Sequence, residues 1–134
     1  MDTKIKVRAI IIEDGRLLLI RRVKDNKEYW VFPGGGLEEF DLTPDAVLER
    51  ECKEELGVDV SVGAIFTEQV FGIYREIFYI CTILRGKIGT GKGPEFTGDP
   101  KLVGTYEPEW IPIFDLSKKN VQPVEVRDRV GSLL

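Results

Sequence analysis

The sequence predicts an α/β fold, an α/β/α sandwich in which helices cover a mixed central β-sheet. Segments rich in β-branched and aromatic residues, the composition of strands, lie on both sides of one well-bounded helical stretch. The turn sequence Glu13-Asp14-Gly15 separates two apolar runs and is typical of a β-hairpin. A chain of 134 residues with 43% hydrophobic residues is long enough to bury a core and fits one domain, residues 1–134.

The helix is the best-bounded element of the sequence. Thr43 can cap its N-terminus, Pro44 suits the first helical position, and Gly57 suits a left-handed C-terminal cap. The helix follows a short strand at 29–32 and a predicted loop at 34–42. Apolar residues recur at every fourth position and can face a core: Leu48, Cys52 and Leu56.

Strands dominate the second half of the chain. The segments 58–71 and 75–86 are rich in β-branched and aromatic residues and are predicted strands. A glycine-rich loop at 86–101 follows them. The segment 109–116 resembles a short strand leading into a turn, and 123–134 is a predicted second helix.

Composition excludes several kinds of chemistry. The chain has no histidine, which removes Ser-His and Cys-His catalysis and His-ligated zinc. Its two cysteines, Cys52 and Cys81, have apolar neighbours, and we interpret them as buried thiols in a reducing cytoplasm. The net charge of −4 gives no electrostatic basis for binding a nucleic-acid polymer. No apolar run approaches the length of a membrane span.

Three glutamates on the helix, Glu51, Glu54 and Glu55, share an arc of roughly 100° beside the apolar stripe. One interpretation is a solvated helix face, because oppositely charged residues also occur four positions apart on this helix. The other is a metal site, because Glu51 and Glu55 form an unfavourable like-charged pair. Both interpretations are open at this point.

The segment before the helix favours the metal site. Pro33 and three glycines follow a predicted strand directly, and glycines let a backbone approach a ligand closely. Such a turn can offer backbone oxygens to a cation. Carboxylate oxygens are the ligands that Mg²⁺ prefers, and Mg²⁺ commonly bridges them to the phosphates of a substrate.

These segments resemble the Nudix box, G-x5-E-x7-R-E-U-x-E-E-x-G-U, where U is a bulky apolar residue. The lead-in 33–36 resembles the family, and the second half of the box is matched by Arg50, Glu51, Cys52, Glu54, Glu55, Gly57 and Val58. One position departs from the pattern. Asp41 stands near the place of the first glutamate, and the loop is one residue longer, which puts the conformation of the loop in question.

The resemblance implies hydrolysis of a diphosphate bond in a nucleoside diphosphate linked to another group, such as an oxidised dGTP or a nucleotide sugar. Glu51, Glu54 and Glu55 would hold Mg²⁺, or Mn²⁺ in its place, with a backbone carbonyl of Gly34 or Gly35. Arg50 would orient Glu51. The general base would be Glu51 or a glutamate of a distant loop, with Glu95, Glu107 and Glu109 as candidates.

Four further residues are candidates for contacts with the nucleotide. Arg21 and Arg22 lie at a predicted strand end, and Lys92 lies in the glycine-rich loop. Tyr74 lies near the position where family members that act on diadenosine polyphosphates often have a tyrosine. The segment 86–93 nearly matches a phosphate-binding P-loop but lacks its Ser or Thr, so we expect a surface loop instead. Trp30 or Trp110 could stack on a base.

Two other functions fit the same fold. A nucleotide-sensing module would bind without turnover, but such modules usually lose the carboxylates that this chain keeps. An isoprenoid diphosphate isomerase would need a reactive cysteine. We expect a cytoplasmic protein that binds a small nucleotide and no membrane, and a homodimer is plausible because small domains often complete a site across a symmetric contact.

Overall fold

The computed structural model describes residues 3–91 and 104–133. Within these residues the chain forms nine strands, two α-helices and one 3-10 helix. In chain order they are β1 (Lys4–Ile10), β2 (Ile12–Glu13), β3 (Arg16–Lys24), β4 (Lys27–Val31), β5 (Gly34–Gly36), α1 (Pro44–Leu56), β6 (Val58–Phe71), β7 (Tyr74–Gly86), β8 (Glu107–Pro112), the 3-10 helix (Ile113–Lys118), β9 (Val121–Gln122) and α2 (Val124–Gly131).

The strands that the structure describes are divided between two sheets, a detail that the predicted α/β fold did not include. The first sheet has the order β5-β1-β7-β6, with β1 and β7 parallel and the other pairs antiparallel. The second has the order β2-β3-β4-β9, with β8 paired to β3. Its β4 and β9 are parallel, so both sheets are mixed, as predicted.

Helix α1 begins and ends where the sequence predicts. The Thr43 hydroxyl accepts a hydrogen bond from the Ala46 amide at 3.1 Å, and Gly57 ends the helix in the left-handed region at φ 83°. The predicted stripe of Leu48, Cys52 and Leu56 is fully buried. These contacts fix which face of α1 turns to the sheet, and therefore where its glutamates lie.

Strand β1 of the first sheet packs on both of its faces, because side chains alternate along a strand. Val7 and Ala9 pack with α1 in one hydrophobic cluster. Ile10 of the same strand packs with Val126 and Val130 of α2 in the other. The sheet therefore separates the two helices, which is the layer order of the predicted sandwich.

The three glycines at 34–36, predicted as part of a loop, form strand β5 antiparallel to β1. Gly34 has φ 146°, and a Cβ there would lie 2.9 Å from the Arg8 Cα. Only glycine allows this close approach, so the absence of side chains makes the strand possible and does not prevent it. The prediction of a loop holds for the residues after Gly36, up to Thr43.

Both cysteines are buried free thiols, as predicted. Of the predicted glycine-rich loop, only the part up to Gly91 belongs to the described residues, so Lys92 and Glu95 lie outside them. In the described part of the chain, neither helix has the length and apolar character needed to cross a membrane.

Candidate active site

Two glutamates of α1 lie directly against strand β5. The Gly34 amide donates a hydrogen bond to Glu55 Oε1 at 2.8 Å. A Cβ at Gly35 would lie 2.5 Å from Glu51 Oε1, so the Glu51 carboxylate occupies the space that any larger residue would fill. The glycine strand and the helix therefore form one site, in which carboxylate oxygens meet an open stretch of backbone.

The three glutamates of the box differ in exposure and in partners. Glu55 is 7% exposed and Glu54 has a side chain that is 37% exposed, with Glu51 between them at 16%. Glu51 pairs with Arg50, while Glu55 accepts from Gly34. Within residues 3–91 and 104–133, no three acidic side chains converge in the manner of metal ligands. The carboxylates of Glu51 and Glu55 instead contact Arg50 and Gly34.

The residues nevertheless fit a hard divalent cation. The available donors are carboxylate oxygens and glycine backbone, the set that Mg²⁺ and Mn²⁺ prefer. The cradle at Gly35, which a Cβ would obstruct, leaves the Glu51 carboxylate beside the backbone. All three glutamates come from one capped helix, where residues three and four positions apart lie on the same face.

Arg50 joins the loop to the glutamates. Its Nη2 donates to Asp41 Oδ2 at 2.8 Å and its Nη1 donates to Glu51 Oε1 at 2.9 Å. Nη1 also lies 3.8 Å from Glu54 Oε2. The hydrogen bond to Asp41 raises the pKa of Arg50, so Arg50 stays charged at any relevant pH. The guanidinium therefore holds Glu51 beside Gly35 and partly offsets the repulsion among the glutamates.

Asp41 closes the longer loop. Its Oδ2 also accepts a hydrogen bond from the Glu38 amide at 2.9 Å, and its side chain is only 3% exposed. The hydrogen bonds from Arg50 hold the pKa of the Asp41 carboxyl below its usual value. The Phe40 ring covers the Arg50 guanidinium, 4.9 Å from it. The conformation of the loop before α1, which the sequence left in question, is thus set by Asp41 in spite of the additional loop residue.

The segment 87–91 packs against the end of α1, which sequence reasoning missed. The Gly89 amide donates to the Leu56 carbonyl at 3.1 Å. A Cβ at Gly91 would lie 2.6 Å from the Glu55 carbonyl carbon, and one at Gly57 would lie 2.7 Å from the Thr90 carbonyl carbon. The glycine pattern of 86–93 was the available signal, since close backbone contact requires glycine at both surfaces.

Arg21 and Arg22 contact β4, β8 and the segment before β8. Arg21 pairs with Glu28 at 2.7 Å and with Glu107 at 3.1 Å on an exposed surface. Arg22 donates to the Thr105 carbonyl at 3.1 Å and lies 3.8 Å from the Tyr106 ring. Two of the candidate distant bases also have partners, because Glu107 pairs with Arg21 and Glu109 accepts from Trp30 Nε1 at 3.3 Å.

Tyr74 lies beside a cavity that borders the glycine strand. The cavity has a volume of about 410 Å³ and is lined by Lys4, Lys6, Gly36 and Tyr74 among others. Lys6 Nζ lies 4.6 Å from the Tyr74 ring centroid. Sequence reasoning missed Lys6, because an alternating strand pattern does not say which polar residues border a site.

A second cavity has a volume of about 270 Å³ and is lined by Phe32, two residues before Gly34, and by Arg8, which pairs with Gly34 in the first sheet. It is lined by aromatic residues together with an arginine, a buried glutamate and a glutamine. Trp30, which the sequence offered as a base-stacking residue, does not line this cavity and is buried in the core.

The fold and the site define an α/β sandwich whose candidate site is a carboxylate-bearing helix against a glycine strand. A sequence model described as NUDIX domain matches residues 2–128. The chain therefore belongs to the Nudix family.

Similarity to individual proteins supports membership of this family. The chain is 40% identical over 68 residues to a MutT-like protein of Streptomyces ambofaciens, which is 51% of this chain and 39% of the relative. It is 42% identical over 73 residues to a CTP pyrophosphohydrolase of Escherichia coli, 53% of this chain and 50% of the relative. The matched segments thus span half or less of these curated relatives.

A solved structure of MutT, from work on Aliivibrio salmonicida and Vibrio cholerae, resembles the fold over the whole chain. The TM-score is 0.74 at 19% identity, with 99% of this chain and 100% of that chain covered. The likeness shows the fold, with the layers described above.

Proposed function

We propose that the protein hydrolyses the diphosphate bond of a nucleoside diphosphate linked to another group, with Mg²⁺ as the cofactor and Mn²⁺ as a substitute. The observation that carries the proposal is the position of Glu51 and Glu55 against Gly34 and Gly35. Membership of the Nudix family and relatives named as pyrophosphohydrolases support the same reaction. The substrate is a small nucleotide, either a nucleoside triphosphate such as an oxidised dGTP or a nucleotide sugar.

Each residue of the site has a task in this reaction. Glu51, Glu54 and Glu55 hold the cation, together with a backbone oxygen of Gly34 or Gly35. A cation held there would supply positive charge for the diphosphate and make a bound water molecule more acidic. Arg50 keeps Glu51 in position, and Asp41 keeps Arg50 in position. Stabilising charge in this way is the main requirement of phosphoryl transfer.

Glu51 is the best placed of the candidate bases. It borders the glycine strand, and its partner Arg50 belongs to the same site. Glu107 and Glu109 pair instead with Arg21 and Trp30, and Glu95 lies outside the described residues. Glu51 would accept the proton of the attacking water. The products are then the nucleoside monophosphate and the other half of the substrate.

Several residues are candidates for binding the phosphates of the substrate. Lys6 and Tyr74 border the cavity next to Gly36. Arg21 and Arg22 could contact the substrate only by exchanging some of their present partners. Lys92, the remaining candidate, lies outside the described residues.

A substrate panel tests the proposal. The purified protein is incubated with Mg²⁺ or with EDTA and with nucleoside triphosphates, oxidised dGTP, nucleotide sugars, ADP-ribose and diadenosine polyphosphates, and the release of monophosphate is measured. Glu54→Gln is the test variant. Glu49→Gln is the matched control, because Glu49 is an exposed glutamate of the same helix.

We expect turnover of one substrate class that requires Mg²⁺, survives Glu49→Gln and is lost in Glu54→Gln. Tight nucleotide binding without turnover of any substrate would contradict the proposal and favour a nucleotide-sensing module.

A further inference from the structure

The cavity beside Gly36, called the lysine cavity below, lies next to the proposed cation site. It is lined by Lys4 and Lys6 of β1, by Tyr74 of β7 and by the segment 36–38, among others. Successive residues of a strand are about 3.4 Å apart, so the cavity begins one residue beyond Gly35, where the Glu51 carboxylate lies. A group bound in this cavity is therefore close enough to belong to a substrate whose diphosphate is held at the cation site.

Gly36 leaves one wall of the lysine cavity open. A Cβ at Gly35 would lie 2.5 Å from Glu51 Oε1, so the protein itself requires glycine there. A Cβ at Gly36 would meet, among the described atoms within 4 Å, only the Ile5 carbonyl oxygen, at 3.9 Å, which is an ordinary contact. The packing of the protein does not require glycine at position 36, and the missing side chain leaves space for a ligand against the backbone.

Two ammonium groups are the main charged groups of this cavity. Lys4, Lys6 and Arg8 occupy alternate positions of β1, so they lie on one face of the sheet. Arg8 binds the Glu76 carboxylate at 2.9 Å, although Glu76 stands opposite Lys6 in the register of β1 and β7. In the part of the chain that the structure describes, Lys4 and Lys6 pair with no carboxylate. Both ammonium groups are therefore available to an anion.

Tyr74 positions one of these ammonium groups. Lys6 Nζ lies 4.6 Å from the centroid of the Tyr74 ring, which is a cation–π contact. The same ring packs against Phe71, with ring centroids 5.8 Å apart. A second nucleobase would compete with Lys6 for the face of this ring. The contact therefore favours a role for Tyr74 in holding Lys6 at the cavity and not in stacking on a base.

Charge decides which group fits the lysine cavity. Its volume of about 410 Å³ lies within the range of roughly 300–1,000 Å³ typical of ligand pockets and admits either a phosphate group or a sugar. Its ionisable lining consists of two lysines and Glu38, two positive charges and one negative, in a chain whose net charge is −4. A phosphate accepts charge-assisted hydrogen bonds from ammonium groups, whereas sugar hydroxyls carry no charge to offset theirs.

We propose that the lysine cavity binds the terminal phosphate of a nucleoside triphosphate, and that Lys4 and Lys6 make the triphosphate the preferred substrate over a nucleotide sugar. The proposal rests on the proposed function, because it chooses between the two substrate classes named there. Lys6 donates hydrogen bonds to the terminal phosphate, and Tyr74 keeps its ammonium group at the cavity. Hydrolysis, which adds one water molecule, then gives the nucleoside monophosphate and pyrophosphate.

Binding of analogues that resist hydrolysis tests the proposal without relying on catalysis. A methylene group replaces the α,β-bridging oxygen, and calorimetry with Mg²⁺ gives dissociation constants for the triphosphate, the diphosphate and the diphosphate sugar of one nucleoside. The series is repeated for adenosine, cytidine, guanosine and uridine. For each nucleoside that binds, we expect the triphosphate to bind at least about tenfold more tightly than the other two, because its terminal phosphate gains hydrogen bonds from charged donors.

Lys6→Gln removes the charge and keeps a polar side chain. We expect the advantage of the triphosphate over the diphosphate to fall at least about fivefold, because a charged donor is lost. Affinity for the diphosphate should stay unchanged, which also shows that the variant is folded. Lys27→Gln is the control and should keep the full advantage, since Lys27 is an exposed lysine of β4 and does not line the cavity.

Gly36→Val tests the cavity independently of its charge, and it takes the place of Lys6→Gln if that variant does not fold. The new side chain occupies space that the packing leaves open at this position. We expect the triphosphate to lose its advantage while the diphosphate binds as before. Tyr74→Leu should weaken only the triphosphate, whereas Tyr74→Phe keeps the ring beneath Lys6 and should retain the advantage.

The outcomes separate this inference from the proposed function. Tighter binding of the triphosphate that depends on Lys6, without hydrolysis of any substrate in the panel, supports the inference and contradicts the proposed function. Three results overturn the inference: hydrolysis of a nucleotide sugar in preference to the triphosphate, equal binding of triphosphate and diphosphate, or an unchanged advantage in both Lys6→Gln and Gly36→Val. The last result would mean that the terminal phosphate binds outside the lysine cavity.

Discussion

Asp41 and Arg50 form the contact that connects the loop before the helix to the candidate metal site. Asp41 accepts two hydrogen bonds from the Arg50 guanidinium, at 2.8 Å and 3.3 Å, and Arg50 in turn donates to Glu51 at 2.9 Å. The two carboxylate oxygens thus bind two nitrogens of one guanidinium, and this bidentate geometry fixes orientation as well as distance. The loop, the arginine and the glutamate therefore behave as one unit.

Asp41→Asn should lower turnover more than it raises KM. An amide keeps the shape but loses the charge and one of the two acceptors, so Arg50 is held less firmly and Glu51 with it. We expect kcat to fall by about tenfold, in line with the loss of an outer-shell partner. Steady-state kinetics at saturating Mg²⁺ measure this. A change confined to KM would mean that Asp41 does not act through Glu51.

The same contact predicts a pH dependence of stability. The pKa of Asp41 is lower in the folded protein than its ordinary value of 3.8, so its contribution to stability is present above that value. The contribution is lost as the pH falls below 3.8 and through the lowered pKa. Urea unfolding of wild type and Asp41→Asn across this range should show a stability difference at pH 6 that shrinks on acidification. A constant difference would contradict the assignment.

Gly35→Ala should damage the candidate site without unfolding the protein. The new Cβ would lie 2.5 Å from Glu51 Oε1, and the flexible carboxylate must move away. We expect turnover to fall at least about tenfold, within the range for displaced metal ligands and their partners, with a small change in Tm. Gly131→Ala is the control, because a Cβ there meets nothing within 4 Å. Full activity in Gly35→Ala would show that Glu51 need not lie against β5.

Gly91→Ala tests whether the segment 87–91 supports the end of α1. A Cβ at this position would meet backbone atoms of Glu54 and Glu55, which cannot rotate away as a side chain does. We expect the segment to detach and turnover to fall while far-ultraviolet circular dichroism stays unchanged. If Gly91→Ala had wild-type kinetics, the packing of this segment would have no part in the reaction.

The two cysteines should be inert in the folded protein. Burial raises the pKa of the Cys52 thiol far above its ordinary range and raises that of Cys81 to about 12. A thiol-reactive dye at pH 8 should therefore label neither until the protein is denatured, because the thiolate is the reactive form. Rapid labelling of native protein with loss of activity would revive a cysteine-based reaction such as isomerisation.

Local chemistry made α1 predictable. Thr43, Pro44 and Gly57 act within one turn of the helix ends, and the stripe from Leu48 to Leu56 depends only on helical period. The three glutamates were placed on one arc by the same reasoning. What the helix faces is set by tertiary structure. The contact of Glu55 with Gly34 depends on strand β5, which lies in a segment predicted from the sequence as a loop.

Contacts between residues that are distant in the chain could not be predicted from the sequence. Arg8 and Glu76 are 68 residues apart and meet through the parallel pairing of β1 with β7. Lys6 and Tyr74 meet through the same register. No local pattern identifies such a register from one sequence, because alternating strands are compatible with many pairings. The replacement of a glutamate by Asp41 was visible, but its hydrogen bonds to Arg50 required the folded loop.

Binding of Mn²⁺ is the most direct test of the central claim that Glu51, Glu54 and Glu55 form a cation site. The free-ion electron paramagnetic resonance signal is followed during a titration of wild type, Glu51→Gln and Glu49→Gln. The account predicts saturable binding by wild type and Glu49→Gln, and affinity reduced at least about tenfold in Glu51→Gln. Equal affinity in all three proteins would contradict it, because the cation would then bind away from these carboxylates.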